Sequence, residues 1–394
     1  MKILFVLPRF PYPLEKGDKL RAYHQIRCLS KDNDIFVFCV SHSKVSQSSI
    51  DELRKYCRNV KVVRTNRLTA CFHMFLNFLR SRSLQIGYWD SRKARVLYRR
   101  YEDKVDPDVL YCQMVRTMTW VSRSRVPKVL DFQDSLSMNT ERRMNNAHGL
   151  WRFILHYEFK MLRSSEYNSF GMFDAMTIIS STDGDAIPHK NNDKIHVIPN
   201  GVNFDYFKPM EREKLYDIVF CGNMHYEPNV NASTFLVCEV LPLVMKVRPD
   251  VKVLLAGASP SAAVKKLGKN PNVTVSGWVE DIRECYASSR LFVAPMQIGS
   301  GLQNKLLEAM AMQLPCITTT LANTSLKGEP GVNVIVADTP QDLADSIVML
   351  LKHDDIRDSI AKSGYDYVHG NYSWEYYNDQ LNTLLHGVAR RKLL

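Results

Sequence analysis

Short apolar runs recur along the chain, each followed by a polar loop and usually by a stretch with helical spacing of its apolar residues. The first half carries ILFVLP, DIFVFCVS, NVKVVRT, DVLYCQ, PKVLDFQ, AMTIISS and KIHVIPN. The second carries YDIVFCGN, VKVLLAGA, VTVSGWV, RLFVAP, CITTT and VNVIVAD. Strands of this type alternating with helices predict an α/β protein with parallel, doubly wound sheets, and two such series predict two domains. Between them, VIPNGVNFDYFKP (197–209) reads as a strand end, an Asn-Gly turn and a polar connection closed by Pro209. The expected division is 1–205, 206–372 and a C-terminal amphipathic helix, 373–394.

Ligands of such sheets bind beyond the carboxyl ends of the strands. The most informative loop there is 295–315, PMQIGSGLQNKLLEAMAMQLP. Gly299 and Gly301 let the backbone pass close to a ligand. A helix is predicted from about Gln303, with Leu306, Leu307, Met310, Ala311 and Leu314 on one apolar face and Pro315 as its stop. The free amides of such a helix start suit a diphosphate, and Lys305 in the first turn adds a full positive charge. Glu308, one turn on, can accept hydrogen bonds from sugar hydroxyls. In the preceding domain, Asp18 after Gly17 is a candidate N-cap, with Lys19 and Arg21 placed for a phosphate. Asp134 follows a strand end and is a candidate to orient or deprotonate a hydroxyl, with an N-cap as the equal alternative. Arg142 and Arg143 follow two turns later, one to grip a diphosphate and one solvated.

GLQNKLLEAMAM is similar to the signature helix of the family-4 glycosyltransferases of the GT-B fold, and to a branch of bacterial exopolysaccharide and capsule sugar transferases whose helix reads G-x-Q-N-K-x-L-E-A-M-A. The segment 197–209 and VSGWVEDIRECYASS resemble further stretches of that family. The resemblance implies two Rossmann-like domains facing across a cleft, the second holding a nucleotide-diphosphate sugar and the first an acceptor. It implies sugar transfer to an acceptor hydroxyl, retention at the anomeric carbon and no obligatory metal or cofactor. Carried over by position, donor contacts fall on Gly222, Asn223, Gly277, Trp278, Val279, Ser300, Gly301, Gln303, Asn304, Lys305 and Glu308. Acceptor contacts fall on Gly17, Asp18, Lys19, Arg116 and Arg142, with Asp134 and Lys305 as catalytic groups. Departures are visible: Ser300 stands where the family has a glutamate, Gln113 near where it often has a histidine, and the loop at 221–233 lacks its usual Arg and Lys.

Charge sharpens this. The net charge is +11, but residues 1–200 hold 33 Lys and Arg against 20 Asp and Glu, whereas the remainder is nearly balanced. An anionic partner is therefore expected for the first half. Residues 64–101 interleave nine Lys and Arg with aromatic and aliphatic residues against a single acid, Asp90. Such a stretch suits an anionic membrane surface; no recognition motif for nucleic acid accompanies it. Nine cysteines without metal-type spacing predict reduced thiols in a cytoplasmic chain. No apolar run approaches the ~20 residues of a membrane span, so a peripheral place on the inner face is expected. Asp183-Gly184-Asp185 is read as a helix start rather than a metal site. Three alternatives stay open: a sugar-nucleotide epimerase of the same architecture, a non-catalytic nucleotide-binding relative, and a nucleic-acid binder. A dinucleotide oxidoreductase is disfavoured because no G-x-G-x-x-G follows a strand.

Overall fold

The computed structural model describes residues 1–14, 16–145, 147–299 and 301–390. All of the apolar runs form strands. In the first compact unit these are β1 (Lys2–Leu7), β2 (Asp34–Ser41), β3 (Asn59–Arg64), β4 (Val109–Gln113), β5 (Lys128–Asp131), β6 (Ala175–Ile178) and β7 (His196–Val197). They make one parallel sheet in the order β3-β2-β1-β4-β5-β6-β7. The central strands are buried on both faces, which explains why they read as continuous rather than alternating apolar runs.

The second unit holds β8 (Tyr216–Cys221), β9 (Val253–Ala256), β10 (Val273–Gly277), β11 (Ser289–Ala294), β12 (Cys316–Thr318) and β13 (Ile335–Val336). Their order is β10-β9-β8-β11-β12-β13, again all parallel. In each sheet the chain reverses its winding once, between β1 and β4 and between β8 and β11. Loops leaving the carboxyl ends at such a reversal form a crevice that binds ligands. This places 8–14, 16 and 114–117 at one crevice and 222–226, 295–299 and 301–303 at the other.

The units are Met1–Pro199 with the stretch from Trp374 onward, and Asn200–Ser373. The division falls at Pro199/Asn200, earlier than 205/206. Its cause is local: Ile198 N bonds to Ile178 O in the first sheet, whereas Val202 N bonds to Tyr372 O in the second unit. The C-terminal helix Trp374–Arg390 packs in the first unit. Leu381, Leu385 and Val388 join Ile26 and Leu29 in its core, and Trp374 stacks on His24 with ring centroids 4.8 Å apart.

One helical stretch, Glu227–Met245, is long and apolar enough to cross a membrane by length and composition, an exception to the expectation that no run would be. More than half of it is buried, so it is a core helix of the second unit. All nine cysteines are free thiols.

Candidate functional site

The helix after β11 runs Asn304–Ala311 with Gln303 as its N-cap. Leu306, Leu307, Met310 and Ala311 are buried as the pattern requires. Leu314 is buried too, but outside the helix. Gln313 adopts a left-handed conformation, φ 53°, and ends the helix before Pro315 is reached. Lys305 therefore stands in the first turn and Glu308 one turn later.

Both side chains turn toward the carboxyl end of β8. Lys305 Nζ donates to Asn229 Oδ1, contacts the Met296 sulfur and lies 4.6 Å from the Phe220 ring centroid. Burial lowers the Lys305 pKa to about 8, against the pull of Cys221 and Glu308. Glu308 Oε2 accepts from Tyr286 Oη at 3.0 Å, and burial holds its carboxyl above the usual range. An ammonium destabilised by desolvation is one that an incoming anion stabilises strongly.

Two glycines let the loop after β8 pack closely against its neighbours. A Cβ on Gly257 (φ +137°) would sit 1.8 Å from Gly222 O, and one on Gly222 would sit 2.6 Å from Asn229 Nδ2. Asn229 also donates to Asn223 O at 3.0 Å, so one amide ties Lys305 to this loop. Asn223 Oδ1 accepts from His225 N. Asn304 Oδ1 accepts from the buried Asn200, and Gln303 folds onto Gly301 O. Asn229 and Tyr286 were missed by the sequence reading, since neither lies in the motif that holds Lys305 and Glu308. Ser300 lies outside the described residues.

Among the residues placed at the base, Gly277 ends β10. Its carbonyl already accepts from Gly257 N at 3.1 Å and Ser276 Oγ at 2.9 Å, so it holds β9 and β10 together. Trp278 is exposed and Val279 partly so.

In the first unit several assignments change. The N-cap of the helix Gly17–Leu29 is Lys16, not Asp18. Asp18 sits in the first turn, bonded to Arg9 at 2.7 Å, and its carbonyl accepts from Gln113 Nε2. Arg21 is not available to a phosphate. It is fully buried in a bidentate pair with Asp131 (2.7 and 3.1 Å) and also donates to Ile198 O. Lys19 is half-buried and Gly17 exposed. Arg116 donates to Gln85 Oε1 at 2.7 Å, and burial lowers its pKa to about 10. Arg142 reaches the Met138 sulfur, while Arg143 is exposed.

Asp134 is not an N-cap. Ser135 Oγ accepts from Met138 N and caps the helix Leu136–Asn145. The Asp134 carboxyl is instead pushed up to about 7, by burial first and by the nearby Asp183 next. Asp183 accepts from Ser180 Oγ and Ser135 N and belongs to a helix start, as expected. A carboxyl titrating near 7 has the proton affinity a general base uses at neutral pH.

The motif-level likeness is matched by comparison with known proteins. Residues 216–353 match the family model described as Glycosyl transferases group 1. Over 387 residues, 94% of this chain and 96% of the relative, the chain is 21% identical to an uncharacterized 44.6 kDa protein in the cps region of Klebsiella pneumoniae. It is 28% identical to a phosphatidyl-myo-inositol mannosyltransferase of Mycobacterium leprae over 204 residues, 49% of this chain and 53% of that one. Among solved structures, Anabaena HepE in complex with UDP and glucose superposes with a TM-score of 0.72 at 14% identity, covering 98% of this chain and 99% of that one. The second unit therefore matches the group 1 glycosyl transferases over residues 216–353, and the chain as a whole has the GT-B fold and resembles bacterial capsule and polysaccharide sugar transferases.

Proposed function

We propose that the chain transfers a sugar from a nucleotide-diphosphate donor to an acceptor hydroxyl. The observation that carries this reading is the pairing of Lys305 and Glu308 on one helix, both turned toward the carboxyl end of β8, where Asn229 holds Lys305 and Tyr286 holds Glu308. Lys305 and the helix start hold the diphosphate, and Glu308 accepts from ribose hydroxyls. In the reaction the acceptor oxygen bonds to the anomeric carbon as the bond to the diphosphate breaks, and its electron pair leaves with the diphosphate. Lys305 neutralises the charge that develops there, so no metal is required for that step. Transfer proceeds with retention, the departing phosphate taking the acceptor's proton while ionised Asp134 orients the hydroxyl. The likeness to HepE, whose structure holds UDP and glucose, supports a uridine donor.

The acceptor is a lipid-linked or polysaccharide-precursor glycan, met by a cytoplasmic protein resting on the inner membrane surface. Support comes from the helix Arg67–Leu79, which exposes Leu68, Phe72, Phe75, Phe78 and Leu79. Tyr157, on the helix Gly149–Ser169, donates to Phe78 O and Arg82 O. The start of that helix adds exposed Leu150, Trp151 and Phe153. Exposed Arg67, Arg80, Arg82 and Arg152 flank these apolar groups. Apolar residues that enter the interface beside cations that meet anionic headgroups are what surface binding requires.

A thermal-shift screen across nucleoside diphosphates and their sugars tests the donor reading. A bound ligand at 100 times its Kd adds about 2.7 kcal/mol, so a selective rise in Tm with one diphosphate is expected. Product analysis of donor incubated without acceptor then separates transfer from epimerisation. Epimerised donor in that incubation, or no Tm response to any nucleotide, contradicts the proposal.

A further inference from the structure

The first unit holds a cavity of about 620 Å³ at the carboxyl ends of β1 and β2, lined by Arg9, Lys16, Lys19, Lys44, Arg67 and Trp89 among others. Its described lining residues include five cations and no Asp or Glu; Asp18 pairs with Arg9 from beside it, and Glu15 lies outside the described residues. None of Arg9, Lys16, Lys44 or Arg67 was assigned to a ligand by the motif reading. One wall is aromatic: His42 packs against Tyr88 and Trp89 with ring centroids 4.6 Å away in each case, and the Arg9 guanidinium lies 5.5 Å from the Trp89 ring centroid. The cations are felt inside the cavity, since Arg67 and Arg9 add to burial in lowering the His42 pKa. The His42 Nδ1 bonds to Thr65 Oγ1, and its buried Nε2 has no partner.

Like-charged side chains gathered around one concavity repel one another, and a multivalent anion relieves that repulsion. The volume exceeds what a diphosphate needs and falls in the range of pockets that hold a whole small ligand. The aromatic wall suits a sugar ring or an apolar stem beside the anion. We infer that this cavity is the acceptor's anion site: it binds a phosphate or diphosphate ester and so restricts the acceptor to phosphorylated sugars or diphosphate-linked carriers. The inference rests on the transferase reading for the word acceptor, but the anion site stands or falls by itself.

The test is calorimetric titration of the full chain with inorganic pyrophosphate at low salt, UDP being held at saturation to fill the donor site. Binding is expected to weaken at least tenfold in the Lys44→Glu/Arg67→Glu double variant and to weaken with added salt. Both residues are exposed, so the variant folds; Lys44→Gln/Arg67→Gln serves as the milder check. Absence of pyrophosphate binding, or binding unchanged in both double variants, overturns the inference. Farnesyl diphosphate and glucose 1-phosphate, titrated in parallel, distinguish a lipid-linked from a soluble ester: the tighter of the two names the source, and binding of neither overturns the site. If UDP itself fails to bind, the donor reading falls. The pyrophosphate titration repeated on Lys305→Ala without UDP then decides the cavity alone.

Discussion

In the proposed reaction each unit holds an anion at the carboxyl end of a parallel sheet, and the two do so by opposite means. In the second unit one cation, Lys305, is drawn out of water and fixed by Asn229 beside a helix start. In the first unit several cations stand around an open cavity, mostly solvated and none as tightly placed. A single desolvated charge with fixed dipoles gives a position accurate enough for chemistry, because little reorganisation is needed when the diphosphate departs. A ring of solvated cations attracts many phosphate esters and is screened by salt. On the proposed function, the donor end relies on geometry and the acceptor end on capture.

Substitutions can break this contrast, and the largest effect is expected at Asp134. Asp134→Asn keeps the shape and removes the acceptor oxygen's partner, so kcat falls by roughly 10²–10⁴ while UDP affinity is unchanged. The wild-type rate should rise with pH through about 7, because the group is protonated and idle below that value; a flat profile contradicts its role. The same variant should be no less stable than wild type at pH 8. The folded-state pKa is raised, so the ionised carboxylate lowers stability above it and a neutral amide does not.

Next comes Gly222→Ala. The added methyl meets Asn229 Nδ2 and Cγ at 2.6 and 3.0 Å, displaces the amide that holds Lys305, and should weaken UDP binding on the order of tenfold, since small misplacements at a built site are costly. Pyrophosphate binding in the first unit should be untouched, which calorimetry on the same sample checks. The smallest effect is at the surface. Phe72→Ser/Phe75→Ser should reduce co-sedimentation with anionic liposomes several-fold at low salt, in line with the lost apolar area, and leave soluble turnover intact. Equal sedimentation of variant and wild type would remove the helix Arg67–Leu79 from the membrane account.

The fold was legible because buried parallel strands are written as contiguous apolar runs, and every one of those runs became a strand. The helix at 304 was legible for the same reason, except at its end. Nothing in Met-Gln-Leu announces that Gln313 will turn left-handed. Lys305 and Glu308 could be found because they share one local motif. Asn229 could not, as it reaches Lys305 from 76 positions away and looks like any surface asparagine. Arg21 shows the converse failure. A cation in a first turn has the same sequence signature whether it faces a ligand or the core, and only Asp131, 110 positions on, decides that it faces inward. The cavity at β1 and β2 collects residues from four separate segments, so no contiguous stretch spelled it out. Asp134 stood out as a carboxylate after a strand end, but its elevated proton affinity depends on burial and then on Asp183, which only the folded chain supplies.

The central claim is that Lys305 meets the donor's diphosphate, and proton linkage measures it directly. Free Lys305 titrates at about 8, so near pH 8 roughly half the molecules carry the proton, and a bound diphosphate would draw in the other half. UDP titrations in buffers of differing ionisation enthalpy at pH 8 should report an uptake of about half a proton per UDP. The uptake should vanish in Lys305→Met along with roughly 10–100-fold of affinity, the range of a charged hydrogen bond. UDP that binds wild type and Lys305→Met alike, with no proton uptake by either, would contradict the account.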